Sequence, residues 1–113
     1  MKKLIFVFGL LCALIVTAQA QNTGKAYVEI QTSAVCGSCK AIIEKAVTEI
    51  EGVKLADLDL ETSIVSVKYD AEKTNPEAIR LAITASGYSA DTLPPVKEAY
   101  DKLDPCCKST DHD

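Results

Sequence analysis

The sequence predicts an α+β sandwich: a four-stranded antiparallel sheet with two helices on one face, followed by a short C-terminal helix. Three observations predict it. Apolar residues alternate at period two over several short stretches, and recur at helical spacing over two longer ones. The stretches follow one another in the order β-α-β-β-α-β.

Residues 25–32 place Ala26, Val28 and Ile30 on one side and Tyr27, Glu29 and Gln31 on the other, the pattern of a half-buried strand. Residues 33–38 form a loop. From 39 to 50, Ile42, Ile43, Ala46, Val47 and Ile50 recur as the apolar stripe of a helix, which Gly52 ends. Residues 53–60 form a second strand, with Ala56, Leu58 and Leu60 inward. Glu61, Thr62 and Ser63 turn the chain into a third, 64–70, with Val65, Val67 and Tyr69 inward. Asn75-Pro76 reads as an N-cap with proline at the first helical position. The helix that follows carries Ile79, Ala82 and Ile83, and Gly87 closes it. Residues 88–93 complete the sheet, and Pro94-Pro95 breaks it. Polar residues at 29, 31, 57, 59, 66 and 68 give the sheet one wet face. This order is the ferredoxin-like βαββαβ solution.

Residues 1–20 read as a secretory signal peptide. Lys2 and Lys3 form a basic start and residues 4–16 an apolar run. Ala18-Gln19-Ala20 supplies the small residues of a cleavage site before Gln21. The run is shorter than the roughly 20 residues that span a bilayer. Bulky Leu11 before Cys12 argues against a lipid attachment there. The expected destination is outside the cytoplasm, periplasmic or secreted. Removing Lys2 and Lys3 takes the formal charge from −4 to −6, which disfavours nucleic acid and anionic membranes. Tryptophan is absent and both phenylalanines lie in the leader, so no stacking surface for bases or sugars is expected. No small-molecule substrate is indicated either.

Cys36, Cys39, Cys106 and Cys107 remain after cleavage. In an exported chain an even count suggests disulfides, yet one pair is C-x-x-C and the other adjacent. Neither closes a long loop, and a cross-link of the 36/39 pair to the 106/107 pair stays open. Cys36-Gly37-Ser38-Cys39 stands where the first strand gives way to the first helix. The unpaired N–H groups of a helix start favour negative charge, hence thiolate. Gly37 and Ser38 let both sulfurs point to one place, and Lys40 adds positive charge nearby. Two thiolates on a compact loop suit a soft ion of low coordination number such as Cu(I).

The segment of about 26–93 resembles the heavy-metal-associated domain family, which includes copper chaperones, the N-terminal modules of copper-transporting ATPases and a periplasmic mercury-binding protein. The resemblance rests on Cys36-x-x-Cys39 with the following residues 41–46, on Gly52-Val53, on the strand 65–70, and on Ile83 with Gly87-Tyr88. It implies a ferredoxin-like fold and reversible metal binding by Cys36 and Cys39. It also implies transfer by ligand exchange with a metal-donor or metal-acceptor protein, including a membrane metal transporter. The family's methionine under the metal loop is replaced by Ala34, so a looser loop is expected. Val35 stands where zinc-handling members carry an aspartate, which tilts the reading from Zn(II). Tyr88 matches an aromatic position close to the metal.

The chain thus divides into a leader (1–20), a heavy-metal-associated domain (21–93) and a tail (94–113). Val96, Tyr100 and Leu103 share a helical face, Pro105 ends it, and Cys106-Cys107 follows. The last strand runs about 17–20 Å away from the metal end. A helix over 96–104 returns about 13 Å. If antiparallel to that strand, it brings Cys106 and Cys107 back to Cys36 and Cys39; otherwise they form a second site or a contact for another chain. His112 is read as a solvated tail residue. The leading function is exported trafficking, sequestration or detoxification of Cu(I), with Hg(II) or Zn(II) as alternatives, and without catalysis. The competing function is a thiol–disulfide redox protein using the same C-x-x-C; a plain disulfide is the third reading. N-terminal sequencing of exported protein should begin at Gln21; an intact Met1 on a membrane-bound product would overturn the leader assignment.

Overall fold

The structure is a computed structural model and describes residues 24–108. The leader and His112 lie outside the described residues. Strand β1 (Lys25–Gln31) leads to helix α1 (Gly37–Thr48). Strands β2 (Val53–Asp59) and β3 (Ile64–Asp70) follow, then helix α2 (Pro76–Ala85), helix α3 (Lys97–Asp101) and a 3-10 turn (Pro105–Cys107).

The sheet has the order β1-β3-β2, antiparallel throughout. Central β3 carries the inward residues Val65, Val67 and Tyr69. On one side they face Ile30, Val28 and Ala26, and on the other Val65 and Val67 face Leu58 and Ala56. Alternation along all three strands therefore buries one sheet face. Helix α1 adds Cys39, Ile43 and Val47 to the same core at intervals of four, and α2 adds Ile79 and Ile83. The opposite face is exposed at Tyr27, Glu29, Asp57 and Lys68.

Local chemistry sets the boundaries. Asn75 Oδ1 accepts from Ala78 N–H at 2.8 Å and Pro76 occupies the first turn of α2, as the Asn-Pro pair predicts. Leu60, expected inside, is 40 % exposed. Strand β2 ends at Asp59, whose carbonyl accepts from Ser63 N–H at 2.7 Å, so Leu60 belongs to the turn.

The predicted fourth strand is not formed among the described residues. Ala90 makes only isolated bridges, to Thr32 and to Leu93. The physical reason is a tight reversal. Ala90 and Leu93 exchange backbone hydrogen bonds at 3.0 and 2.9 Å around Asp91, whose φ is +53°. Asp91 still serves the edge of β1. Its N–H donates to Gln31 carbonyl at 2.8 Å, and its carboxylate accepts from Gln31 N–H at 2.9 Å and from Arg80 at 2.8 Å. A side chain thus stands in for part of a missing ladder.

The tail packs against the domain. Val96 N–H donates to Thr84 carbonyl at 2.9 Å, and Leu103 packs against the core. Gly87 makes room for it: at φ +103°, a Cβ there would lie 3.0 Å from the Ala99 backbone and 3.1 Å from Leu103 Cδ1. Gly87→Ala is expected to lower stability by about 1–2 kcal/mol, because an L-residue is strained at this φ. Gly37→Ala is the control, since nothing lies within 4 Å of a Cβ there. Urea denaturation midpoints of the two variants test the difference.

A candidate metal centre of clustered thiols

The loop that joins β1 to α1 is tied from several sides. Thr32 Oγ1 donates to Ser63 carbonyl at 2.8 Å and accepts from Ala34 N–H at 3.2 Å. Ser63 Oγ donates to Ala34 carbonyl at 2.7 Å, and Ser89 N–H donates to Ser33 Oγ at 3.0 Å. Ala34 itself is buried. The looser loop expected from its small side chain is therefore offset by hydrogen bonds, which hold the backbone where the family's methionine would pack.

Cys36 is the N-cap of α1, in an extended conformation, and Cys39 lies in the first turn. Their sulfurs are 3.0 Å apart. Cys39 is fully buried and forms part of the core, whereas Cys36 is partly exposed. The tail brings two more sulfurs to the same place. Cys36 Sγ is 3.4 Å from Cys106 Sγ and 3.3 Å from Cys107 Sγ, and the tail sulfurs are 3.8 Å from each other. Of the two tail arrangements open to the sequence, the structure has the returning one. Cys107 is buried and Cys106 exposed. All four are free thiols, at separations well beyond a disulfide bond of about 2.05 Å.

The four sulfurs differ electrostatically. Hydrogen bonding from the Cys39 thiol, then from the Cys39 backbone N–H, lowers the Cys36 thiol from 9.0 to about 6, against a smaller desolvation penalty. Of the helix-start N–H groups that of Cys39 contributes, second to its thiol. Lys40 does not act as predicted. Its ammonium donates to Glu44, Asp57 and Leu58 carbonyl at 2.6, 3.2 and 2.7 Å, and these contacts raise its own pKa. It fastens the start of α1 to β2. Glu44 completes the tie by accepting from Leu58 N–H at 2.8 Å. Burial pushes the Cys107 thiol up, and the hydrogen bond to Cys36 pushes up that of Cys106.

Tyr88 is fully buried. Its hydroxyl finds no hydrogen-bond partner of the ordinary oxygen or nitrogen kind. Burial, followed by the neighbouring Cys107 and Cys39 sulfurs, raises its pKa. A phenol held neutral beside sulfurs is a donor in waiting, and a metal-bound thiolate is a suitable acceptor. The cluster beside the phenol is all sulfur, which selects soft ions over Mg²⁺ or Ca²⁺. Val35 contributes no oxygen and is 47 % exposed.

Sequence reasoning found all four cysteines and Tyr88. It missed Thr32, Ser63 and Ser89 as ties of the loop, because a serine or threonine in a turn carries no signal of which distant carbonyl it reaches.

Residues 32–89 match the heavy-metal-associated domain. The chain is 43 % identical over 53 residues to the copper chaperone CopZ of Staphylococcus aureus (strain JH9), which covers 47 % of this chain and 78 % of that protein. Among solved structures it is similar to oxidized MerP from Ralstonia metallidurans CH34, at 26 % identity and a TM-score of 0.58, over 59 % of this chain and 94 % of that one. It is also similar to the water-soluble region of the P-type ATPase CopA from Bacillus subtilis, at 32 % identity and a TM-score of 0.57, over 62 % of this chain and 47 % of that one.

The metal-free, reduced protein should react with iodoacetamide at Cys36 with a midpoint near pH 6, where the thiolate forms. Modification slows as pH falls through that value and levels off above it. A midpoint near 9, read by mass spectrometry of the labelled peptide, would contradict the assignment.

Proposed function

Because the chain belongs to the heavy-metal-associated domain family, we propose that it carries one thiophilic ion, Cu(I) above others, between Cys36 and Cys39 outside the cytoplasm, and passes it on by sulfur exchange. The observation that carries this reading is the pair of sulfurs 3.0 Å apart at the start of α1, one of them ionising at about 6. A thiolate available at neutral pH binds without first having to lose a proton, and metal binding drives off the second proton. Cys39 is anchored in the core while Cys36 lies at the surface. Within this pair Cys36 therefore exchanges before Cys39, since a partner's sulfur can reach it while Cys39 still holds the ion.

Copper is favoured by the all-sulfur donors and by the relative named a copper chaperone. Hg(II) is the next candidate on the same donor chemistry. The partner is a metal donor or acceptor protein, and the similarity to the soluble region of a P-type ATPase supports a transporter domain in that role. The relatives above are named as a chaperone, MerP and a transporter region, which supports carriage rather than catalysis. The leader proposed for residues 1–20 supports a periplasmic or secreted setting.

In anaerobic titration the reduced protein should take up one Cu(I) per chain with sulfur ligands alone. The Cys36→Ser/Cys39→Ser variant should lose that site, with affinity down by at least 100-fold. Wild-type affinity and stoichiometry in that variant would overturn the assignment.

A further inference from the structure

We propose that Cys106 and Cys107 are built-in third and fourth ligands, which close the Cys36–Cys39 site and are displaced when the ion leaves. This rests on the reading of Cys36 and Cys39 as the primary pair. Four observations carry it.

The first is the spacing of the sulfurs. Cys36, Cys106 and Cys107 have sulfurs all within 4.8 Å of one another, the only such cluster among the described residues. Within this trio the separations run from 3.3 to 3.8 Å, and Cys39, outside the trio, has its sulfur 3.0 Å from that of Cys36. Four sulfurs each about 2.3 Å from one ion stand about 3.8 Å apart at tetrahedral angles. A small outward movement of Cys36, Cys106 and Cys107 therefore accommodates an ion, and Cys39, beside Cys36, turns toward it to complete the four. The second is the way the tail is held. The Val96–Thr84 hydrogen bond, the seat over Gly87 and the packing of Leu103 determine its path. The Cys107 N–H then donates to Asp104 carbonyl at 2.9 Å, which turns the dicysteine inward. Lys108 lies 5.7 Å from the Tyr100 ring centroid and adds a cation–π contact beyond the turn. The third is the orphaned hydroxyl of Tyr88 beside the Cys39 and Cys107 sulfurs, placed to donate to thiolates that share a cation. The fourth is asymmetry. Cys107 is 2 % exposed and Cys106 lies at the surface, so Cys107 is the retained ligand and Cys106 the first to yield.

The chemical consequence is a change of ion preference. A bare C-x-x-C offers two sulfurs, enough for Cu(I) but not for Zn(II), which takes four ligands. With the tail in place the same pocket meets the Zn(II) requirement although Val35 supplies no oxygen. The tail sulfurs also occupy positions that a partner's cysteines would need, so delivery proceeds by replacing Cys106 and then Cys107 with the partner's sulfurs. Bonds are conserved in each exchange: one metal–sulfur bond forms as another breaks, and a proton moves from the incoming thiol to the departing thiolate.

The test uses the full chain, reduced and anaerobic, with one equivalent of Cu(I) or Zn(II). Wild type, Cys106→Ser/Cys107→Ser and Cys36→Ser/Cys39→Ser are compared by X-ray absorption and by competition with chromogenic chelators. Wild type should show three or four sulfurs around copper. The tail double variant should show two, bind Cu(I) at least tenfold more weakly, release it faster, and lose its tight Zn(II). The Cys106→Ser variant, at an exposed position, should lower the sulfur count by one without disturbing the packing. Two sulfurs in wild type, with unchanged Cu(I) affinity and Zn(II) retention in the tail double variant, would overturn the closed site while leaving Cys36 and Cys39 as the metal pair. Wild-type binding by the Cys36→Ser/Cys39→Ser variant would instead overturn the primary reading, and with it the shared site.

Discussion

Burial of the inward face of β3 is the constraint on which the molecule rests. Val65, Val67 and Tyr69 sit between two antiparallel neighbours and beneath both long helices. Because the side-chain period is two, a slip of one residue would turn this whole set to solvent. Register is thereby determined, and with it the place where β1 ends and α1 begins. Ser63, just before β3, reaches across to the loop through its hydroxyl and its carbonyl. The strand that organises the core thus also positions the backbone beneath the sulfurs.

The sulfur cluster sits at the border between that core and the solvent. Cys39 and Cys107 are core residues by burial, and Cys36 and Cys106 look outward. A buried thiol behaves as a small apolar group, so in the metal-free state the protein can hide two of these four sulfurs at little cost. The Cys36 thiol ionises at about 6. Its negative charge is met by hydrogen bonds from Cys39, and to a lesser degree from Cys107 and Cys106, while Lys40 is bound to Glu44. The lysine is engaged in tying helix to sheet, where its charge is met by Glu44 and Asp57. That division commits the Lys40 ammonium to the helix–sheet tie.

Much of this was legible in the sequence. Alternation located three strands, helical spacing located α1 and α2, and Asn75-Pro76 marked a helix start that the structure has. The pair Cys36 and Cys39 could be placed at a strand-to-helix junction from order alone. Three things could not be read. The failure of the fourth strand depends on Asp91 at positive φ, and nothing in Ser-Ala-Asp-Thr announces a left-handed residue. The second salt bridge of Lys40 depends on Asp57, remote in the chain. The direction of the tail depends on Gly87 meeting Ala99 and Leu103. Periodicity gives a helix its apolar face but not the surface that receives it. Here the receiving surface was a glycine already explained as a helix terminator.

The short path from Thr84 to the dicysteine has a further implication, in terms of mass action. A ligand pair held on a short tether acts at an effective concentration on the order of millimolar, whereas a separate protein rarely reaches that level. A partner that matched the tail sulfur for sulfur would therefore seldom hold the ion. To draw it away, an acceptor must gain something the tail lacks, such as surface contact with the domain around Val35 and Cys36, or must pass the ion onward irreversibly. Tail length and docking strength thus set a threshold on who can collect the cargo, and lengthening the segment between Val96 and Cys106 would lower that threshold without altering a single ligand.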